Sequence, residues 1–176
     1  MGRILKIIIK FTQAGNRDFS LFTFSLLNLT IYTDGAARGN PGPGGYGAVL
    51  HWGSVIKEIS QGYKHTTNNR MELMAVLAAL KLLTRDGLDI TIYTDSAYIV
   101  NSVEKKWVFG WEKKGYSGKK NADLWAEFLK LYRKHHIKFV WVKGHASNKW
   151  NNRCDELATT AADGKGLLED VGYEGN

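Results

Sequence analysis

The run Ile90-Thr91-Ile92-Tyr93-Thr94-Asp95-Ser96 decides how this chain folds. β-branched and aromatic residues crowd positions 90–94, the composition of a strand, and Asp95-Ser96 stops it. The same ending occurs earlier, where Leu29-Thr30-Ile31-Tyr32-Thr33 forms a short strand candidate closed by Asp34-Gly35. Between the two lies a different pattern. Residues 71–83 are almost wholly apolar apart from Glu72 and Lys81, too long for a typical strand and poor in β-branched residues, so a largely buried helix is expected. Asn69 is a suitable N-cap, and Glu72 follows three positions later as in a capping box. Glu72 is therefore either a cap partner or a ligand. Residues 39–45, Gly-Asn-Pro-Gly-Pro-Gly-Gly, predict a tight loop, and residues 46–52 and 55–62 predict a hairpin around Gly53-Ser54. Helices are expected over 96–106, 122–135 and 151–162, with a strand over 137–142. Three early strands followed by alternating helices and strands predict an α/β (α+β mixed) fold, a mixed sheet with helices packed against it.

At 176 residues the chain has room for one domain with a real core. Its hydrophobic content of 44% and charged content of 23% fit an ordered globular protein. Lys and Arg outnumber Asp and Glu by 24 to 17, a net charge of +7 that favours a polyanionic partner. A single cysteine, Cys154, excludes an internal disulfide and fits a reducing, cytoplasmic setting; it reads as a packed small side chain. One Cys and five scattered His do not make a structural zinc cluster. The glycine-rich loop lacks the Gly-Lys-Ser/Thr ending of a phosphate-binding loop. No segment reaches the roughly 18 consecutive apolar residues needed to cross a bilayer.

Three parts are expected. Residues 1–28 mix Arg3, Lys6, Lys10 and Arg17 with short apolar pieces and no signal-peptide pattern, and read as a loosely ordered extension or an over-extended start. Residues 29–162 are expected to form the folded domain. Residues 163–176 carry four Gly and four acids, the composition of an exposed, loosely held tail.

The chemistry-bearing residues are four acids. Asp34 and Asp95 each close a Tyr-Thr-Asp triplet at the end of a strand, where an α/β sheet exposes its chemistry. Two neighbouring strands ending this way set two carboxylates side by side. Glu72 and Asp155 add acids from two helices. Four converging carboxylates repel one another, and a hard, oxygen-seeking cation such as Mg2+ relieves that conflict. An acidic centre on a basic chain points to metal-dependent hydrolysis of a nucleic acid.

At these residues the chain closely resembles bacterial type 1 ribonuclease H (ribonuclease HI), over residues 29–162. The resemblance rests on Tyr32-Thr33-Asp34-Gly35 with Gly39-Asn40-Pro41-Gly42-Pro43-Gly44-Gly45, on Thr67-Asn68-Asn69-Arg70-Met71-Glu72, and on Tyr93-Thr94-Asp95-Ser96. It also rests on Trp141-Val142-Lys143-Gly144-His145 with Arg153-Cys154-Asp155-Glu156. It implies a five-stranded sheet with three antiparallel and two parallel strands. It implies cleavage of the RNA strand of an RNA–DNA hybrid with two Mg2+ ions, Mn2+ being a substitute, to leave 5′-phosphate and 3′-hydroxyl ends. Catalytic and metal-holding roles fall to Asp34, Glu72, Asp95 and Asp155, and a proton-transfer or product-release role to His145. Hybrid contacts fall to Asn40, Asn68 and Asn69.

Across 104–120, six lysines stand against Glu104 and Glu112. Trp107, Phe109, Trp111 and Tyr116 interrupt them. Alone the segment reads as a lysine-rich surface loop. Beside the acidic centre and the resemblance, Lys105, Lys106, Lys113 and Lys114 are expected on phosphates of the DNA strand, with Trp107 and Trp111 against the duplex or anchoring the protrusion. The chain departs from the family at Ala97, at Ser147-Asn148-Lys149-Trp150-Asn151, and in a shortened 116–120; none of these removes an acid. The expected protein is a monomer. A non-catalytic RNA-binding module predicts hybrid binding without turnover, and a related integrase-like nuclease predicts cleavage of DNA alone.

Overall fold

The structure, a computed structural model, describes residues 28–144 and 148–173. The expectations for residues 1–27 and for His145 lie outside the described residues.

Five strands form one sheet in the order β3-β2-β1-β4-β5: β1 (Leu29–Ala37), β2 (Gly42–Trp52), β3 (Val55–Thr66), β4 (Asp89–Thr94) and β5 (His136–Trp141). The first three pair antiparallel, and β1–β4 and β4–β5 pair parallel. This is the mixed sheet expected from the sequence. Strand β1 runs past its predicted end at Thr33, because Asp34 to Ala37 keep pairing with Gly47 to Gly44 of β2. The predicted loop over 39–45 correspondingly shrinks, and its last four residues join β2.

The helices are α1 (Asn68–Lys81), α2 (Ala97–Glu104), α3 (Trp107–Lys113), α4 (Ala122–Tyr132) and α5 (Lys149–Ala162). One face of the sheet carries the main core. Ile31, Ala48, Leu50, Ile90, Ile92 and Phe139 meet Leu73, Val76 and Leu80 of α1, Ile99 of α2, Val108 of α3 and Trp125 and Phe128 of α4. Helix α5 covers the opposite face. It approaches β2 so closely that a Cβ on Gly47 would lie 2.3 Å from the Cys154 carbonyl oxygen, and one on Gly45 2.6 Å from that of Ala158. Bare backbone is what lets that helix seat.

Three local expectations are corrected. Helix α1 is capped by Thr67, whose hydroxyl accepts from the Arg70 backbone N–H at 3.4 Å, and not by Asn69. The Asn69–Glu72 capping box therefore does not form, and Glu72 is free of that duty. The basic segment contains the helix α3 instead of a plain loop. The tail is docked as far as Tyr173: Leu168 exchanges backbone hydrogen bonds with β3, and Asp170 is buried beside Arg70. A segment of glycines and acids reads as solvated until its partner, an arginine inside an apolar helix, is in view.

Candidate active site

Parallel pairing of β1 with β4 ends at Thr33 and Thr94, so Asp34 and Asp95 are the next residues on adjacent strands. Asp34 is 7% exposed and its Oδ1 accepts the Gly35 N–H at 2.7 Å. Burial, with the charges of Asp95, Asp155 and Glu72 adding to it, pushes its carboxyl up to about 8. Gly35 has no room for a side chain: a Cβ there would lie 2.2 Å from the Glu72 backbone nitrogen. That close approach brings the first turn of α1 against β1 and carries Glu72 to the end of the sheet.

Glu72 accepts from the Asn68 amide at 2.9 Å through one oxygen and from the Ser96 hydroxyl through the other. Burial is the main reason its carboxyl rises to about 7; Asp95 adds to the rise, and the two hydrogen bonds oppose it. Ser96 also caps α2 by accepting from the Ile99 N–H at 3.3 Å. Asp95 is half-buried under the turn that follows β5, where a Cβ on Gly144 would lie 2.3 Å from its Oδ2. Trp141 donates its indole N–H to the Asp95 carbonyl at 2.9 Å. Asp155 comes from α5, on the helix that the β2 glycines admit, and is half-buried.

The four acids thus converge from β1, α1, β4 and α5. Among the described residues, no three acids, histidines or cysteines are already close enough together to hold an ion. The donor set nonetheless fits one: the acids offer only oxygen ligands, and the raised carboxyls of Asp34 and Glu72 show sites where charge is costly unless a cation offsets it.

The three asparagines divide. The Asn40 side-chain oxygen accepts the Asn68 N–H at 3.2 Å, tying the glycine-rich loop to the start of α1. Asn40 and Asn69 line a cavity of about 510 Å³ with Thr67, Arg70 and Asn121. Asn68 does not line it; its amide is engaged with Glu72. Asn121, which sequence reasoning missed, stands at the N-cap of α4 in left-handed backbone and donates to the Tyr98 hydroxyl at 3.2 Å. Ser96 has no functional signal in the sequence beyond its position directly after Asp95.

In the basic segment, Lys106, Trp107, Trp111 and Lys114 line a second cleft of about 330 Å³. Lys105 lies 5.0 Å from the centre of the Trp107 ring, which is 47% exposed. Trp111 is half-buried and packs edge-on to Trp125 at 5.8 Å, so it anchors α3 to the core. Lys113 is exposed outside the cleft.

Comparison with known proteins matches the RNase H family model to residues 27–163. The chain is 46% identical over 154 residues to the ribonuclease H of Nitratidesulfovibrio vulgaris strain DP4, covering 85% of this chain and 98% of that protein. It is 51% identical over 155 residues to the ribonuclease H of Lachnoclostridium phytofermentans, covering 82% and 98%. Among solved structures it is similar to LC9-RNase H1, a type 1 RNase H with the type 2 active-site motif, at 32% identity and a TM-score of 0.69, covering 84% and 79%. It is also similar to LC11-RNase H1 in complex with RNA/DNA hybrid, at 28% identity and a TM-score of 0.59, covering 77% and 97%. With a family model spanning most of its length and relatives of this identity matched nearly end to end, the chain belongs to the ribonuclease H family.

Proposed function

We propose that this protein is an endonuclease that hydrolyses the RNA strand of RNA–DNA hybrids, leaving 5′-phosphate and 3′-hydroxyl ends. The observation that carries the reading is Asp34, a nearly water-free carboxyl on β1 just past its parallel pairing with β4, with three other acids near it. Asp34, Glu72, Asp95 and Asp155 are the residues that would hold two Mg2+ ions, or Mn2+ in their place. When bound, these supply activation of water and neutralisation of the charge developing on phosphorus.

The chain's own residues do the rest. Asn68 and Ser96 fix both oxygens of Glu72. Asn40 and Asn69, facing one cavity at the start of α1, hold the nucleic-acid backbone, while Asn68 serves the site through Glu72. Lys105, Lys106, Lys113 and Lys114 on or beside α3 supply phosphate contacts that position the duplex without reading its sequence. His145, in the Lys143-Gly144-His145 frame, moves a proton or eases product release. The preference for RNA comes from its 2′-hydroxyls and from groove shape. The net charge of +7 supports a polyanionic substrate. No helix among the described residues is long and apolar enough to cross a membrane, and the single cysteine suits a cytoplasmic monomer.

Labelled RNA–DNA, RNA–RNA and DNA–DNA duplexes test the assignment. Divalent-dependent cutting confined to the RNA of the hybrid is expected. Binding without turnover would make the protein a recognition module, and cleavage or strand transfer on DNA alone would make it an integrase-like nuclease.

A further inference from the structure

Tyr32 and Tyr93 are register partners on β1 and β4, and their rings stack at 5.0 Å with 18° between planes. Each stands two residues before an acid, so by strand alternation Tyr32 shares a sheet face with Asp34 and Tyr93 continues toward Asp95. On the same side, Trp150 in the first turn of α5 packs against Tyr32 at 6.4 Å and against His51 of β2 at 5.8 Å. Its helix carries Asp155 five residues on, about 7.5 Å along the axis. One run of ring contacts, stacked at Tyr32–Tyr93 and tilted at Tyr32–Trp150, therefore joins three elements, and each of these bears or directly precedes one of the acids.

The other supports of α5 act elsewhere. Its middle is pressed on β2 at the bare glycines Gly45 and Gly47, and the Asn148 side chain caps its start by accepting from the Trp150 and Asn151 N–H groups at 3.1 Å. Arg153 pairs with Glu58 on β3, and Arg38 with Asp163 beyond the helix end, both at exposed positions where ion pairs hold weakly. The ring contacts join the first turn of α5 directly to β1 and, through Tyr32, to β4.

We propose that Trp150, stacked through Tyr32 onto Tyr93, is a positioning residue that sets the spacing between the Asp155 carboxylate and those of Asp34 and Asp95. It touches neither substrate nor metal. The role rests on the four acids being the metal-holding residues, and it concerns residues in the stretch 147–151, where this chain departs from the familiar family pattern.

Mn2+ binding followed by electron paramagnetic resonance, without nucleic acid, tests it on the full chain. Trp150→Ala should weaken Mn2+ binding by about tenfold, the low end of what losing a residue behind a metal ligand costs. Trp150→Phe, which keeps a ring, should restore most of the affinity. Hybrid binding in EDTA should stay within a factor of two in both variants, and the Mg2+ concentration for half-maximal cleavage should rise while KM for hybrid holds. Should Trp150→Ala melt below the assay temperature, Tyr93→Leu removes a ring from the other end of the stack and should weaken Mn2+ binding likewise. Asp34→Asn separates the two readings. If it abolishes Mn2+ binding while the ring variants bind as the parent does, the positioning role is overturned and the acidic centre stands. If Asp34→Asn binds Mn2+ normally, both fall. Failure of Trp150→Phe to restore binding in a folded protein also overturns the proposal.

Discussion

Asp34 is where burial and the proposed metal-holding role pull in opposite directions. Its carboxyl, raised to about 8 chiefly by desolvation, holds a proton in the folded metal-free protein that the unfolded chain releases near pH 4. A folded-state pKa above the unfolded one contributes stability that is complete below the unfolded value and lost as pH rises through the folded value. Glu72, raised to about 7, acts in the same sense. In EDTA the melting temperature should therefore fall between about pH 4 and about pH 8 through these two groups. Asp34→Asn should remove much of that slope, leaving Tm near the parent's at the acid end and several degrees higher at the alkaline end, as about 1–2 kcal/mol gives in a domain this size. The same variant should lose nearly all cleavage. A Tm difference that stays constant with pH would show that the carboxylate is not desolvated as described. Ser96→Ala should free one oxygen of Glu72 and cut kcat with little change in KM for hybrid, which steady-state kinetics reads directly. Its helix cap is lost as well, so a Tm lower by the equivalent of about 1 kcal/mol is expected. That Asp34 and Asp95 lie side by side was legible in the sequence because each follows a similar Tyr-Thr run. The hydrogen bonds that orient Glu72 were not, since Ser96 and Asn68 reach it from different segments and no local periodicity encodes that meeting.

Two elements carry the site and were unequally visible. Helix α5 was expected nearly in full, but its depth of seating depends on β2 glycines, Gly45 that looks in sequence like loop and Gly47 like any strand residue, and nothing local says that a helix backbone meets them. At Gly47 a Cβ would lie 2.3 Å from the Cys154 oxygen and 2.7 Å from the Leu157 Cβ. Gly47→Ala should therefore push α5 outward, costing about 1–3 kcal/mol as overpacking does. Because Asp155 rides on that helix, cleavage should fall further than the loss of folded protein explains, a comparison that needs only Tm and kcat on the same sample. Helix α3 was hidden for another reason. Its lysines and glycine read as solvated loop, and the apolar face that makes it helical is a tertiary fact: Val108 is fully buried and Trp111 lies on Trp125. The lysines around α3 can be tested together. Replacing Lys105, Lys106, Lys113 and Lys114 with glutamine should lower the logarithmic salt slope of hybrid binding by about 0.9 for each phosphate that is no longer neutralised, taking the B-form value as a guide. Lys106 and Lys114, which line the cleft, should account for more of that change than Lys113. An unchanged slope would move the duplex to another surface.

At the scale of the whole molecule, the tail closes the fold around an arginine. Arg70 is 2% exposed at the start of α1, and its guanidinium pairs with Asp170 through Nε at 2.8 Å and Nη2 at 2.9 Å, and with Asp123 of α4 at 2.8 and 2.9 Å. Asp170 also accepts from the Thr66 hydroxyl at 2.8 Å, and Tyr173 sets its ring 6.0 Å from the guanidinium. Its partners come from α4 and the C-terminal segment, and Asp170 adds β3 through Thr66, so one side chain draws together regions far apart in sequence. An arginine inside an apolar helix start signals that an acid must come to it, but nothing local says which one. Removing one partner of a buried pair is costly because the other charge stays behind without compensation. Asp170→Ala should therefore cost about 3–5 kcal/mol. Asp123→Ala should cost distinctly less, since its side chain is 42% exposed and Asp170 remains on the arginine. Arg70→Met combined with Asp170→Leu should recover much of the loss, because the buried charge is then gone with its partner. Thr67, Asn69 and Arg70 line the same cavity, so Asp170→Ala should also raise KM for hybrid. Urea denaturation of the three variants gives the energies, and hybrid titration gives the second effect. If deleting residues 168–176 left both unchanged, the tail would have no part in holding Arg70, and the cavity wall would have to be fixed from α4 alone.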